Sequence, residues 1–94
     1  MELKVVASAG TLESSDIQII LEPSDNGISI ELESTVMAQF GEQIENVIAE
    51  TLKALNVTDA KVFANDKGAI DPVIQSRVQT AVYRSAQCSE YKWI

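Results

Sequence analysis

The sequence of 94 residues contains no histidine, and that absence excludes more chemistry than any motif in it adds. Histidine is the side chain used most often for general acid–base work near neutral pH. Without it there is no Ser–His or Cys–His nucleophile pair, and the commonest zinc ligand is missing. Cysteine occurs once, at Cys88, so no disulfide forms within the chain. Cys88 has only Lys92 as a nearby basic residue, which argues for an inert thiol rather than a nucleophile. Basic residues are also scarce: 7 Lys and Arg face 14 Asp and Glu, for a net charge of −7. A field of that sign repels nucleic acid and anionic lipid, and it favours encounter with basic protein surfaces. No apolar run approaches the roughly 20 residues that span a bilayer. The start also lacks the basic and apolar pattern of a signal peptide, so a reducing cytoplasm is the expected location. Aromatics make up only 5%, which leaves the core to Ile, Val, Leu and Ala.

What is present fits a folded domain. Apolar residues reach 46% and charged residues 22%, ordinary values for a globular chain. The length predicts one domain over 1–94, with a single core and no deep cleft between domains. Leu3 to Ala9 is short and moderately apolar, an edge strand or an extended segment. A polar loop follows over Gly10 to Asp16. Ile17 to Glu22 reads as a strand with Ile17, Ile19 and Leu21 on one face, while Ile20 gives the other face some cover. Asn26-Gly27 is a hairpin signal, because both residues tolerate positive φ. Ile28 to Glu33 alternates cleanly, with Glu31 and Glu33 facing water.

A long helix is predicted from a Ser34 or Thr35 cap to about Leu55, with Val36, Phe40, Ile44, Val47, Ile48, Leu52 and Leu55 on one stripe. Gly41 inside it suggests a close packing contact. Ala60 to Ala64 reads as another strand. Asp71-Pro72 starts a second helix, which buries Val73, Ile74, Val78, Ala81 and Val82 and ends near Ala86. The tail from 87 to 94 is polar and expected to fray, although Tyr91 and Trp93 are aromatic enough to pack back or to anchor a partner. The order predicts an α+β fold: a small mixed sheet of three or four strands, a β-hairpin followed by a parallel strand after a helix, with two helices on one face.

Few constellations in this order carry chemistry. In Gly10-Thr11-Leu12-Glu13-Ser14-Ser15-Asp16, Ser and Asp side chains are ordinary partners for their own backbone in a turn. The same loop offers Ser14 or Ser15 as an exposed hydroxyl for a covalent group, which needs no internal base. Arg77 and Arg84 lie two turns apart on one helix face, to meet phosphate or acidic partner surface, or simply to be solvated. Glu31, Glu33, Glu42, Glu45 and Glu50 read as solvated faces rather than a metal site. No catalytic residue and no metal ligand is assigned.

The loop Gly10 to Asp16 resembles the attachment segment of the acyl carrier (gamma) subunit family of citrate lyase. Gln39-Phe40-Gly41-Glu42-Gln43-Ile44, Asp66-Lys67-Gly68-Ala69-Ile70-Asp71, Arg77-Val78 and Ala81-Val82-Tyr83-Arg84 carry the resemblance across nearly the whole chain. It implies that Ser14, after Thr-Leu-Glu, carries a 2'-(5''-triphosphoribosyl)-3'-dephospho-CoA-derived prosthetic group through a phosphodiester. The resemblance implies glycine after the modified serine in some relatives, where this chain has Ser15. It also implies another residue at Pro72.

The role so implied is a non-catalytic carrier in citrate fermentation, holding acetyl and citryl thioesters while citrate is split to acetate and oxaloacetate. The implied partners are an alpha (acyl transferase) subunit, a beta (citryl lyase) subunit and a prosthetic-group transferase. Two rivals remain: a malonate decarboxylase-type carrier, and a scaffold domain with no prosthetic group. A four-helix phosphopantetheine carrier with an Asp-Ser-Leu site does not match.

Overall fold

The computed structural model describes residues 1–87; Cys88, Tyr91 and Trp93 lie outside the described residues, as does the tail after Gln87. Strands β1 (Ala7–Ala9), β2 (Ile17–Pro23), β3 (Ile28–Ser34) and β4 (Ala60–Asp66) combine with helices α1 (Met37–Ala54) and α2 (Asp71–Ser85). The result is the expected α+β class, a four-stranded mixed sheet in the order β1-β2-β4-β3. Ile17, Ile19 and Leu21 of β2 are fully buried, and Ala60, Val62 and Ala64 of β4 lie beside them. Ile48 and Leu52 of α1 and Ile74, Val78 and Val82 of α2 close over that face. Each such aliphatic side chain contributes about 1.5–3 kcal/mol by leaving water.

One pairing differs from the expectation. β2 and β3 turn at Asn26-Gly27 and run antiparallel, but β4 lies between them. Pro23 and Ile28 both stand opposite Ala60, so the turn steps across the start of β4. Two strand spacings are about 9.6 Å, well within reach of residues 24–27. The Gly27 carbonyl accepts from the Ala60 N–H at 3.0 Å, and the Gly27 N–H donates to Asp59 Oδ1 at 2.8 Å. The charge pattern explains the order. β3 carries Glu31 and Glu33 on its outward face and suits an edge, whereas β4 has small, apolar inward residues suited to the centre. The strands that are consecutive in sequence and also paired antiparallel are β1 and β2, and their connection is the loop Gly10 to Asp16.

The helices also differ in detail. Neither Ser34 nor Thr35 caps α1: Val36 is the cap residue, and Ser34 Oγ accepts from the Val36 N–H at 3.0 Å instead. Phe40 is 46% exposed, so the buried stripe of α1 begins about one turn later. Gly41 is buried, and the nearest atoms to a Cβ added there would be those of the flexible Met37 side chain one turn earlier, at 2.8 Å. The N-terminal segment is tied to the end of α2. The Ser85 carbonyl accepts from the Lys4 and Val5 N–H groups at 2.9 and 3.1 Å, and its buried hydroxyl donates to the Val5 carbonyl. No helix among the described residues is long and apolar enough to cross a membrane.

Candidate functional site: the loop from Gly10 to Asp16

The loop opens with Gly10, whose φ of +88° lies in the left-handed region. A Cβ there would sit 1.8 Å from the Ile17 carbonyl oxygen and 3.2 Å from Arg77 Cδ. The backbone therefore closes on itself at the base of the loop, and only glycine allows it.

Asp16 is the hub at the other end. Its Oδ2 accepts from the Thr11 N–H at 3.1 Å and the Thr11 hydroxyl at 2.7 Å, and its Oδ1 accepts from the Ile17 N–H at 2.7 Å. Thr11 Oγ1 in turn accepts from the Glu13 N–H at 3.1 Å. Arg77 of α2 reaches across and donates through Nε to Oδ1 at 3.0 Å and through Nη2 to Oδ2 at 3.1 Å. This is the two-pronged guanidinium–carboxylate geometry that gives the stronger charged hydrogen bonds. The Arg77 hydrogen bonds hold the Asp16 carboxyl well below the usual carboxylate range, helped by Thr11 and the Ile17 N–H against the cost of burial.

A third hold comes from the end of β4. The Ser15 N–H donates to the Lys67 carbonyl, and the Lys67 N–H donates to the Asp16 carbonyl, both at 2.9 Å. Buried Asp66 fixes that stretch. Its carboxylate accepts from Ser34 Oγ at 2.8 Å, the Gly68 N–H at 3.1 Å and the Ala69 N–H at 2.9 Å. The loop and the Asp-Lys-Gly-Ala segment, about fifty residues apart in sequence, thus form one structure.

Within this frame Ser14 is exposed, and its hydroxyl makes no hydrogen bond among the described residues. Ser15 is exposed as well, but its N–H is engaged and its φ is +67°, the conformation glycine adopts most easily. That explains why glycine suits this position. Both candidate arginines stay open to solvent while making bonds within the chain: Arg77, its side chain 38% exposed, grips Asp16, and exposed Arg84 donates through Nη1 to the Ser8 carbonyl at 2.8 Å. Glu31, Glu33, Glu42 and Glu50 are exposed, and no group of three metal-ligating side chains occurs among the described residues. Sequence reasoning missed Asp16 and the Lys67 backbone. An Asp closing a polar loop is unremarkable in composition, and a backbone hydrogen bond leaves no side-chain signal.

Beside this frame lies a cleft of about 390 Å³ between the start of α1 and the segment leading into α2. Val36, Phe40, Ile44, Ala69 and Ile70 give it an apolar lining. Gln43 Nε2 donates to Asp71 Oδ1 at 3.2 Å across it.

Comparison with known proteins bears on the whole of this arrangement. Residues 4–85 match the acyl carrier (ACP) family described as malonate decarboxylase delta subunit (MdcD). The citrate lyase acyl carrier protein of Lactiplantibacillus plantarum is 55% identical over 99% of this chain and 97% of its own length. That of Streptococcus mutans is 54% identical over 99% of this chain and 92% of its own. Among solved structures, a chain of a Pseudomonas malonate decarboxylase hetero-tetramer in complex with malonate superposes with a TM-score of 0.74. It is 20% identical and covers 89% of this chain and 87% of that one, a likeness of fold. With such identities spanning nearly its full length, the chain belongs to the citrate lyase acyl carrier protein family.

Proposed function

We propose that this chain is the acyl carrier subunit of a cytoplasmic citrate lyase, with Ser14 as the attachment point of its prosthetic group. The observation that carries the reading is the loop itself: an exposed, unengaged serine hydroxyl displayed on a frame pinned by Gly10, Asp16–Arg77 and Lys67. A carrier needs its attachment residue open to a modifying transferase and its base firmly fixed. The group is of the phosphoribosyl-dephospho-CoA type, and when bound it supplies a terminal thiol for acyl groups. The residues present fit it: Ser14 offers the hydroxyl for a phosphodiester, and the Lys67 ammonium, which forms no ion pair among the described residues, lies close by in the chain path.

The chain's own contribution is positional. Tethering turns each visit to a catalytic subunit into an intramolecular event, at an effective concentration on the order of millimolar. The negative net charge favours basic surfaces on the alpha (acyl transferase) and beta (citryl lyase) partners. The family match and the malonate decarboxylase fold support a second reading, a carrier for malonate decarboxylation. Relatives at 47–55% identity favour citrate. Assay of which acid the assembled complex cleaves separates the two.

Intact mass and peptide mapping of the protein from its native host test the attachment. The expected result is a nucleotide-like addition on the peptide containing Ser14. Ser14→Ala is expected to abolish both the addition and lyase activity of the complex while leaving the circular dichroism spectrum unchanged. A bare mass in a demonstrably active complex would sink the carrier reading.

A further inference from the structure

We infer that the cleft between α1 and the 68–71 segment is a docking site for the adenine nucleoside at the root of the prosthetic group, leaving the thiol end free to swing. The inference rests on the carrier reading above and concerns residues that reading does not use. In a group of this type the order from the protein is phosphodiester, ribose, adenosine, diphosphate and then the pantetheine chain. The nucleoside is therefore the part that stays near Ser14.

The geometry brings that part to the cleft. The Ser15 N–H bonds the Lys67 carbonyl at 2.9 Å, and Gly68, the next residue, lines the cleft. By standard backbone dimensions the Cα atoms of Ser14 and Gly68 are no more than about 9 Å apart. The volume of about 390 Å³ is in the range of small-ligand sites, roughly 300–1,000 Å³, and ample for one nucleoside.

The lining suits a purine. Phe40 is 46% exposed and Ile70 66% exposed, and both line the same cleft. An aromatic face and an aliphatic wall are what a base stacks between. The Gln43–Asp71 pair at the rim supplies an amide and a carboxylate for the base's ring nitrogens and amino group. Lys67, which makes no ion pair among the described residues, precedes Gly68 of the cleft and brings a positive charge to the same stretch of chain. A nucleoside held at the root shortens the swinging part and fixes where its arc begins.

The test is NMR on the isotope-labelled full chain, bare and after modification, with intact mass confirming the addition at Ser14. On modification, amide shifts are expected at Gly68, Ala69 and Ile70 and in the Phe40 ring, beyond those of the loop. The adenine H2 and H8 resonances are expected to move upfield from their positions in free dephospho-CoA. The thiol is expected to react with iodoacetamide within about 2-fold of the free compound. In the modified Phe40→Ala variant, which removes a side chain that is 46% exposed, the adenine resonances are expected to return to their free positions. Should a confirmed modification leave the cleft amides and adenine protons unmoved, the inference is overturned while the carrier reading stands. It is equally overturned if the cleft responds only when catalytic subunits are added, which would make it a partner's docking site. Absence of any added mass on the chain purified from an active native complex overturns both.

Discussion

β2 is entered and left through two connections of similar composition, and they are built differently. Gly10 to Asp16 and Pro23 to Gly27 each hold a glycine, serine and an aspartate. At the exit, Asn26 N–H donates to Ser24 Oγ, and Gly27 is tied to Asp59 and Ala60. Those bonds serve only to step across β4. At the entrance, one carboxylate gathers bonds from Thr11, Ile17 and Arg77, and the backbone is pinned again to Lys67. Both connections are tied to residues far off in sequence, but the exit makes two such bonds, both at Gly27, whereas the entrance makes four, two of them a charged guanidinium–carboxylate fork.

The two glycines give the sharpest break. Both have positive φ, but a Cβ on Gly27 meets nothing within 4 Å, whereas one on Gly10 collides with the Ile17 carbonyl at 1.8 Å. Gly27→Ala should cost about 1 kcal/mol, from left-handed backbone alone. Gly10→Ala should cost about 3–5 kcal/mol, the range reserved for steric failure in a packed region. Urea denaturation of the two variants measures the difference directly. Equal midpoints would mean that the base of the attachment loop is no more constrained than an ordinary turn.

The charged anchor should show itself through pH. Asp16 titrates lower in the folded chain than in the unfolded one, so its contribution is present in full above the unfolded carboxyl range near pH 4. It is lost as pH falls through the lower folded value, because only the folded state resists protonation. Asp16→Asn should therefore destabilise by about 1–2 kcal/mol at pH 7, discounted for a guanidinium that is 38% exposed. The gap to the unaltered protein should narrow steadily below pH 4. At the other connection, Asp59→Asn keeps a side-chain oxygen to accept from the Gly27 N–H and loses only the charge, so it should cost about 1 kcal/mol or less. Denaturant midpoints at pH 7 and pH 3 for both variants check the contrast.

The same contrast explains what was legible in the residues alone. Alternation placed the inward face of β2, and the α+β order followed from it, because burial writes a period into sequence; in β3 the expected inward face of Ile28, Ile30 and Leu32 is only half covered, and Ile28 is exposed at the edge. Strand order did not follow. Asn26-Gly27 specifies a reversal, but whether two strands pair or admit a third depends on which strand best tolerates an edge. The exposed serines were legible as a candidate. The anchors were not: Asp16 and Arg77 are far apart in sequence, and Lys67 acts through its backbone. Phe40 fell on the apolar stripe of α1 yet stands at a cleft, since helical spacing fixes a side chain's direction but not where the neighbouring element ends.

Ser15 offers the smallest effect and the finest discrimination. At φ +67° it occupies backbone space that disfavours side chains by about 1–2 kcal/mol, a cost offset in part by the greater unfolded-state freedom of glycine. Ser15→Gly should therefore raise stability slightly, by about 0.5 kcal/mol, with the Lys67 bond retained. It also removes one of two adjacent hydroxyls without disturbing the frame, which Ser15→Ala does not do as cleanly. If Ser14 is the attachment point, the Ser15→Gly protein takes up the prosthetic group at an unchanged rate, measured by intact mass after incubation with the transferase. A stable protein that no longer gains mass would move the attachment to Ser15. The display site would then be the residue whose backbone the loop holds most tightly, not its free neighbour.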